Sequence, residues 1–275
     1  MGQKVIKQDK SDFLNRAIDA SKLAGRHILD NLGKLSKDEI DTKQSSDFVT
    51  RVDKESEEII VRIIKERFPE HHFLAEETHK DNEPGEYRWI IDPLDGTTNF
   101  IHQYPAFSVS IALERKGEII SGVIFDPLRN ELFTAEKEGG AFLNDNLIRV
   151  SQLNETGLAL ITTGFPFRMK QFLDDYLRLF KNILMEVSDI RRAGSAALDL
   201  AHLACGRCDG FFEIGLSPWD VAAGSIIIKE AGGIISDFGG GNNYLLTGNI
   251  VAGTPFIHNE ILNEVKRVFQ GLIDS

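Results

Sequence analysis

The sequence predicts a mixed protein whose first half is α+β and whose second half is βαβ-like. Two amphipathic helical patterns open the chain, alternating strand patterns follow, and strand-like and helix-like segments alternate after Gly157. The 275 residues are 42% hydrophobic, which is enough apolar material for a large buried core. We therefore expect one large domain or two smaller ones.

Both predicted helices of the first half carry apolar residues on one face. In residues 13–32 the apolar side chains recur at helical spacing up to Gly33, a residue that commonly ends helices. The second helix follows Asp53, which we interpret as its N-cap, and ends at Phe68 and Pro69. The polar residues 36–46 between the helices are predicted to form a loop.

An antiparallel meander is predicted between Arg88 and about Val150. Apolar or alternating runs are separated there by turn residues such as Gly117 and Asn130, as in strands that are connected by hairpins. These runs cover residues 89–91, 107–113, 119–125 and 132–135.

The second half alternates between strand-like and helical patterns. Apolar runs at residues 158–161 and 211–214 predict strands, and helices are expected near residues 169–187, after Gly194 and after Asp220. No long linker divides the chain. We therefore expect two closely packed halves, residues 1–150 and residues 151–275.

The charge balance disfavours several kinds of partner. The chain has 31 Lys and Arg against 42 Asp and Glu, a formal net charge of −11, which gives no electrostatic reason to expect nucleic acid or an anionic membrane as a partner. No apolar run approaches the roughly 20 residues that span a bilayer, and the first ten residues lack the apolar core of a signal peptide. We expect neither a nucleic-acid partner nor a membrane partner.

The cysteine content indicates a reducing compartment. Cys205 and Cys208 are too few for a disulfide framework, which a chain of this size does not need. Their spacing also occurs in redox sites and in half of a zinc site, but no His pair lies nearby at ligand spacing. We interpret them as ordinary thiols near a helix end and expect the protein in the cytoplasm.

The segment IIDPLDGTTNF, residues 90–100, carries the clearest chemical signal. An apolar strand ends there in Asp92 and Asp95, and a turn would bring positions three apart to within about 7 Å at Cα. Together with the backbone carbonyl of Leu94, the two carboxylates are the hard oxygen ligands that Mg²⁺ or Mn²⁺ prefers. Gly96 and the residues after it can present backbone N–H groups to a phosphate.

Two other interpretations apply to this segment taken alone. Asp, Pro and Gly are ordinary residues of surface turns. Hydrolases of the haloacid-dehalogenase type also use paired aspartates, one of them as a nucleophile. Those pairs have the spacing Asp-x-Asp, whereas here the spacing is Asp-x-x-Asp.

Two further acidic features are candidates for the same site. Glu76 and Glu77 follow a short apolar run, and because neighbouring strand residues face opposite ways only one of them could enter a site. Asp220 opens an apolar helix in SPWDVAAGSIIIKEAGG, where it could be an N-cap, a metal ligand or both. A surface Glu pair and a simple helix cap are the corresponding non-functional interpretations.

Together and in this order, the three segments resemble the inositol monophosphatase family. DPLDGTTNF and WDVAAGSIIIKEAGG are similar to the two signatures of the family, and the Glu pair lies at the expected distance upstream. The resemblance extends over nearly the whole chain. It implies a layered α-β-α-β-α fold, commonly dimeric, with divalent metal ions at the junction of the two halves.

The resemblance also implies a set of metal ligands. Glu76, Asp92 and the Leu94 carbonyl would hold one Mg²⁺, for which Mn²⁺ could substitute, and Asp92, Asp95 and Asp220 would hold a second. In the family, the position of Glu77 can support a weaker third site. Asp47 matches an acidic family position of lesser importance.

The implied reaction uses water as the nucleophile and forms no phosphoenzyme. Glu76 and Thr97 would orient a metal-activated water, and Asp95 belongs to the same catalytic group. Gly96 and Thr97 would hold the phosphate through backbone N–H groups, with Asp95 and Asp220 also in contact with the substrate.

The residues that match inositol-binding positions of the family are Gly194, Ser195, Ala196 and Glu213. A carboxylate that faces a polyol can accept hydrogen bonds from neighbouring hydroxyls, which favours inositol or sugar phosphates over apolar esters. We therefore predict a cytoplasmic, lithium-sensitive homodimer that hydrolyses inositol monophosphate with Mg²⁺.

Three alternatives stay open on the sequence. Relatives of the family hydrolyse fructose 1,6-bisphosphate or adenosine 3′,5′-bisphosphate with the same metal chemistry. A catalytically idle protein that binds metal or phosphate and regulates a partner is the third. All proposed ligands are present here, which favours an active enzyme.

Overall fold

Helices and sheets alternate in five layers in the computed structural model, which describes residues 10–44, 47–78 and 85–269. The layers are a helix pair, a seven-stranded sheet, a second helix pair, a five-stranded sheet and a third helix pair. This order confirms the layered α-β-α-β-α fold that the resemblance implied.

The first layer consists of α1 (Asp12–Asn31) and α2 (Arg51–Arg67). Each helix buries one apolar face against the seven-stranded sheet, as the helical spacing predicted. Asp53 is not the N-cap of α2. Thr50 is the N-cap, and Asp53 lies three residues later, where its carboxylate accepts a hydrogen bond from the Thr50 N–H in a capping box.

The predicted loop at residues 36–46 contains a strand, so that prediction was wrong in part. Strand β1 (Ile40–Gln44) pairs antiparallel with β2 (Asp47–Thr50), which leads directly into α2. Most residues of β1 are polar, so its pairing with β2 rather than an apolar pattern holds it in the strand conformation.

The seven-stranded sheet contains the predicted meander. Its strands lie side by side in chain order. All neighbours pair antiparallel except β3 and β4, which are parallel. The short helix α3 (Thr97–Ile101) follows β4. The strands are β3 (His72–Ala75), β4 (Tyr87–Asp95), β5 (Ser108–Arg115), β6 (Glu118–Asp126), β7 (Glu131–Glu136), β8 (Gly140–Leu143) and β9 (Asn146–Ile148).

The second half forms a mixed five-stranded sheet with the strand order β11-β10-β12-β14-β13. Strand β10 is parallel to β11 and β12, which confirms the βαβ-like pattern, whereas β14 is antiparallel to both of its neighbours. Its strands are β10 (Leu160–Thr163), β11 (Asp189–Arg191), β12 (Gly210–Glu213), β13 (Ile234–Ser236) and β14 (Ile250–Gly253). Its helices are α4 (Leu173–Leu184), α5 (Ala196–Ala204), α6 (Pro218–Glu230), α7 (Tyr244–Thr247) and α8 (Pro255–Phe269).

Three buried apolar clusters lie between the layers. The middle cluster combines residues of the seven-stranded sheet, such as Ile90, with residues of α5 and α6, such as Leu200 and Ile227. Helix α6 is therefore covered on both sides, and residues from both predicted halves share this cluster; the boundary at residue 150 stays a prediction. None of the helices in the described ranges is both long enough and apolar enough to cross a bilayer.

Candidate functional site

A cavity of about 270 Å³ lies at the ends of β4, β10 and β12 and at the starts of α3, α5 and α6. It is built from segments that are far apart in the chain. Every site residue predicted from the sequence lines this cavity except Glu77. The lining members of that set are Glu76, Asp92, Leu94, Asp95, Gly96, Thr97, Gly194, Ser195, Ala196, Glu213 and Asp220.

Three aspartates form an acidic cluster in the wall of the cavity. Asp92, Asp95 and Asp220 each offer one carboxylate oxygen, and these oxygens lie within 4.8 Å of one another. The three residues are only 1%, 8% and 7% exposed. Buried like charges at this separation repel one another, so the cluster is suited to a cation of high charge.

The electrostatics of the cluster follow from burial and mutual repulsion. Burial raises the pKa of Asp95 to about 6, although hydrogen bonds from Ser195 and Ala197 act in the opposite direction. Burial, followed by the charges of Asp95 and Glu76, raises the pKa of Asp220 to about 7. The pKa of Asp92 is raised well above its ordinary value, first by burial and then by its acidic neighbours. Charging all three carboxyl groups therefore costs free energy, and a bound cation would offset that cost.

A bulge at the end of β4 places two of the aspartates on the same side. The pairing partner of Asp92 on β5 is Ser110 and that of Asp95 is Ser108, so three steps on β4 oppose two steps on β5. Without the extra residue, side chains three positions apart would face opposite sides of the sheet. The segment is a bulged strand end and not the predicted turn, but it brings both carboxylates to one place as that turn was expected to do.

The start of α3 needs a glycine. Gly96 has φ of 98°, and a Cβ there would lie 2.9 Å from the carbonyl oxygen of Ala106. The Thr97 hydroxyl is 2.7 Å from an Asp53 carboxylate oxygen, to which it donates, and 3.1 Å from the Leu94 carbonyl oxygen. The first turn of α3 is therefore tied to the start of α2 and to the end of β4.

The start of α5 fixes Asp95 from the other half of the chain. Ser195 is the N-cap of α5, and its hydroxyl donates a hydrogen bond to Asp95. The Ala197 N–H donates to the same carboxylate oxygen at 2.8 Å. Gly194, just before the cap, has φ of 89°, a conformation that favours glycine.

Asp220 belongs to the capping box of α6 and is not its N-cap. Ser217 is the N-cap, and its backbone N–H donates to an Asp220 carboxylate oxygen at 2.7 Å. The other predicted residue from this part of the chain, Glu213, ends β12 and is 6% exposed at the cavity wall.

The two adjacent glutamates have different environments. Glu76 lines the cavity, and its Oε1 lies 3.9 Å from Nη2 of Arg168. Glu77 lies outside the described lining, and its backbone N–H donates to Glu57 at 2.8 Å. Glu57 is fully buried on α2 and also accepts hydrogen bonds from Thr78, so it holds the segment that carries Glu76.

Sequence reasoning missed several polar residues around the site, among them Asp53, Glu57 and Arg168. Asp53 and Glu57 lie four residues apart on the apolar, buried face of α2. An acid on the buried face of an amphipathic helix is an unusual feature that could have indicated them. Arg168 gives no such signal, since a single Arg after Phe167 has no pattern of its own. The side chain of Asp47 lies outside the described part of the chain.

The cysteines have the surroundings that the sequence predicted. Cys205 is the C-cap residue of α5, Cys208 is buried three residues later, and both are free thiols. Burial raises the pKa of both thiols, so neither is activated as a thiolate.

Known proteins match both the sequence and the fold. Residues 9–270 match the model of the inositol monophosphatase family. The chain is 47% identical over 255 residues to a protein named Nus factor SuhB from Escherichia coli, covering 92% of this chain and 96% of the relative. It is 43% identical to an inositol-1-monophosphatase from Mesorhizobium japonicum, covering 94% and 97%. The crystal structure of the extragenic suppressor protein suhB from Bartonella henselae matches with a TM-score of 0.89 at 41% identity, covering 94% and 99%.

Proposed function

The chain belongs to the inositol monophosphatase family, and from this premise we propose that it hydrolyses inositol monophosphate to inositol and phosphate with Mg²⁺. The observation that carries the proposal is the buried cluster of Asp92, Asp95 and Asp220 in a cavity that also contains the start of α3. Arg168 and Arg192 also line the cavity, but three buried carboxyl groups in its wall disfavour an anion, so our proposal places metal ions among them.

The residues present fit a divalent metal ion. Carboxylate and carbonyl oxygens are the donors that Mg²⁺ and Mn²⁺ prefer, and no soft ligand belongs to the cluster. In our proposal Glu76, Asp92 and the Leu94 carbonyl hold one ion, and Asp92, Asp95 and Asp220 hold another. Glu77, the neighbour of Glu76 in the chain, supports a third metal site of lower affinity. When bound, these ions supply charge for the phosphoryl oxygens and make the attacking water more acidic.

The side chains near the metal ligands prepare the attacking water. Glu76 and Thr97 orient the water, since both line the cavity beside the proposed ligands. The Thr97 hydroxyl donates to Asp53, so its lone pairs are left to accept a hydrogen bond from the water. The backbone N–H groups of Gly96 and Thr97 would hold the phosphate, and Asp95 and Asp220 would contact the substrate from the same cavity. No side chain becomes phosphorylated in this scheme.

The rest of the cavity supports a polyol as the organic part of the substrate. Glu213 offers a buried carboxyl group, and Gly194, Ser195 and Ala196 line the same cavity at the start of α5. These groups favour hydroxyl-bearing substrates over apolar esters. Fructose 1,6-bisphosphate and adenosine 3′,5′-bisphosphate carry hydroxyls as well and are the alternative substrates.

Phosphate release from purified protein tests this function. We expect turnover of inositol 1-phosphate that requires Mg²⁺ and stops when the metal is chelated. Fructose 1,6-bisphosphate and adenosine 3′,5′-bisphosphate are assayed in parallel at equal concentration. A strong preference for either bisphosphate would replace the substrate in our proposal, and turnover without any divalent metal would refute the metal chemistry.

A role as a Nus factor is a second candidate function, because the chain is 47% identical to a relative that carries this name. The test is replacement of the Escherichia coli protein by this chain, either intact or as Asp95→Asn. Rescue by both forms would show a Nus-factor role that does not need the metal cluster. Rescue by the intact chain alone would tie that role to the cluster, and no rescue would contradict it.

The proposal includes three properties that follow from the family and from the composition. We propose a homodimer, inhibition by lithium and activity in the cytoplasm, where the free thiols of Cys205 and Cys208 stay reduced. The formal net charge of −11 supports recognition of small phosphate esters, with bound metal supplying the positive charge, over direct binding of nucleic acid. Sedimentation analysis and a lithium titration of the hydrolysis test the first two.

A further inference from the structure

Two buried carboxyl groups in the cavity have no hydrogen-bond donor among the residues that the structure describes. Asp199 is 2% exposed and Glu213 is 6% exposed, and both line the same cavity as the aspartate cluster. Within the described parts of the chain, neither carboxyl group accepts a hydrogen bond, and neither has a basic side chain within 4 Å. Buried carboxyl groups are normally paired, so this pair lacks the donors that such groups require.

The positions of the two groups connect them to the site. Asp199 lies in the first turn of α5, where its backbone N–H donates to the carbonyl of the N-cap Ser195 at 3.1 Å. The hydroxyl of Ser195 in turn donates to Asp95. Asp199 is therefore one helical turn away from the residue that holds a proposed metal ligand.

The carboxyl group of Glu213 lies against Gly164, in space that a side chain at position 164 would fill. A Cβ on Gly164 would lie 1.9 Å from Oε1 of Glu213, so only a glycine at this position after β10 lets the carboxyl group reach the cavity wall. Asp199 is the acidic neighbour with the largest effect on the pKa of Glu213, which is raised by burial and then by that charge. The two groups thus influence each other across the same part of the cavity.

A purely structural role does not account for Asp199. An acidic side chain in the first turn favours a helix through the helix dipole, but that effect operates at exposed positions as well. Asp174 and Asp175 occupy the first turn of α4 in this way, and Asp174 is exposed. Helix stabilisation therefore does not require an aspartate that is buried at a cavity wall without a donor.

We propose that Asp199 is a further substrate-recognition residue, whose carboxyl group accepts a hydrogen bond from a hydroxyl of the substrate beside the one bound by Glu213. This inference rests on the proposed function and deepens it. Two acceptors in one cavity suit a ligand with several hydroxyls, such as a cyclic polyol phosphate. An ester without hydroxyls leaves both buried carboxyl groups unpaired, and a site of this kind discriminates strongly against such a ligand.

The test compares inositol 1-phosphate with phenyl phosphate, which carries no hydroxyl group. Asp199→Asn keeps the size of the side chain and replaces one of the two carboxyl oxygens with an amide nitrogen, which cannot accept a hydrogen bond. We expect KM for inositol 1-phosphate to rise about 10- to 100-fold with a much smaller change in kcat. The ratio of kcat/KM for inositol 1-phosphate to that for phenyl phosphate falls by a similar factor. Asp174→Asn, the same change in the first turn of α4, is the matched control and leaves the ratio unaltered.

If Asp199→Asn lowers kcat/KM equally for inositol 1-phosphate and phenyl phosphate, the ratio of the two values is unchanged. That result would show a structural role for Asp199 and overturn the inference. Binding of free inositol, measured by ligand-observed NMR in the presence of Mg²⁺, gives a second readout that needs no turnover. We expect Asp199→Asn and Asp199→Ala to weaken it and Asp174→Asn to leave it intact. Equal binding by all forms, or none by the unaltered protein, would also overturn the inference. If the unaltered protein binds inositol but hydrolyses no inositol 1-phosphate, the proposed function fails separately.

Discussion

Each aspartate of the cluster is held by a neutral donor that fixes one of its oxygens. Asp92 accepts from the Leu94 N–H at 3.0 Å, and Asp95 accepts from the start of α5. Asp220 accepts from the Ser217 N–H at 2.7 Å. These neutral donors orient the carboxylates but do not neutralise them. The negative charge of the cluster therefore stays available for a cation.

Asp95→Asn tests this design, because it removes one charge and retains an oxygen that can accept from Ser195 and Ala197. We expect loss of nearly all Mg²⁺-dependent turnover, since ligand geometry and charge both change. The fold stays intact, and the metal-free protein does not lose thermal stability, because a buried like charge is gone. Circular dichroism and phosphate release measure the two effects. Full activity of this variant would refute the site assignment.

Arg168 is the cation nearest to two of the acidic residues. Its Nη1 lies 3.6 Å from an Asp220 oxygen, its Nη2 lies 3.9 Å from Glu76, and its guanidinium stacks on the Phe167 ring at 4.9 Å. A positive charge here stabilises the metal-free cluster and opposes the binding of a metal ion.

Arg168→Gln is therefore expected to destabilise the metal-free protein and to bind Mn²⁺ roughly 3- to 10-fold more tightly. Calorimetric titration of the metal-free protein with Mn²⁺ measures the affinity. The control is Arg207→Gln, which removes a surface arginine that pairs with Glu131 away from the cavity. Weaker metal binding in Arg168→Gln than in the control would contradict the electrostatic argument.

The metal ligands could be predicted from the sequence because their acids stand next to turn residues and helix starts. Asp53, Glu57 and Asp199 lie within helical patterns without such a motif, and the only sequence signal for them is an acid on a buried helix face. Their roles depend on which donor or cavity the fold brings to them. Thr97, for example, meets Asp53 only after β4 and α2 have packed together.

Capping boxes at two helix starts position acidic side chains near this site. In both α2 and α6 the acid at the third helical position accepts from the N-cap backbone, and both acids also reach the region of the cavity. Asp53 binds the Thr97 hydroxyl, and Asp220 completes the cluster. A helix start thus fixes the direction of a functional carboxylate with little rotational freedom.

Asp53→Ala is expected to lower both the stability of the fold and kcat, whereas substitution of an ordinary helix cap lowers stability alone. Loss of hydrogen bonds to Thr50 and Thr97 costs about 1–3 kcal/mol of stability, and loss of the Thr97 orientation lowers kcat by about tenfold or more. The matched control is Ser11→Ala, which removes the N-cap hydroxyl of α1 that accepts from Leu14. It costs about 1 kcal/mol and leaves kcat unchanged. Equal kcat in both variants would show that Asp53 only stabilises α2.

The helices and strands differ in how well the sequence predicts them. The helical spacing of residues 13–32 and the alternation after Arg88 depend on local burial, so both patterns were confirmed. Strand β1 and the elements after α6 were missed. Strands β13 and β14 have only three and four residues, too few for a periodic signal, and they are held by pairing with each other and with β12.

On the scale of the whole molecule, the site exists only when both halves pack together. Strand β4 contributes Asp92 and Asp95, while α5 and α6 contribute Ser195 and Asp220 from beyond the middle of the chain. The central helices α5 and α6 are covered by both sheets, so they position these groups rigidly. A cation bound at the cluster would link the halves and stabilise the fold by mass action.

The stability of the metal-free protein should fall as pH rises from 6.5 to 8. The pKa of Asp220 is raised to about 7 and that of Asp92 is raised well above its ordinary value, so the folded state holds these protons more tightly than the unfolded state and loses stability when they dissociate. His71, His202 and His258 have lowered pKa values and are already mostly neutral in this range.

Thermal denaturation at several pH values measures this dependence. Saturating Mg²⁺ is expected to reduce the decline, because bound metal replaces the protons of the cluster, and Asp220→Asn is expected to reduce it in metal-free protein. The part that remains comes from Asp199 and Glu213, whose pKa values are also raised by burial. A metal-free protein whose stability rises over the same pH range would contradict the assignment of buried, mutually repelling carboxylates.

Anomalous diffraction from crystals soaked in Mn²⁺ tests the central claim most directly. We expect an anomalous peak at coordination distance from the carboxylate oxygens of Asp92, Asp95 and Asp220, with the three side chains arranged as in the present structure. Clear density for all three carboxylates with no manganese among them, or carboxylates that lie too far apart to share an ion, would contradict the account.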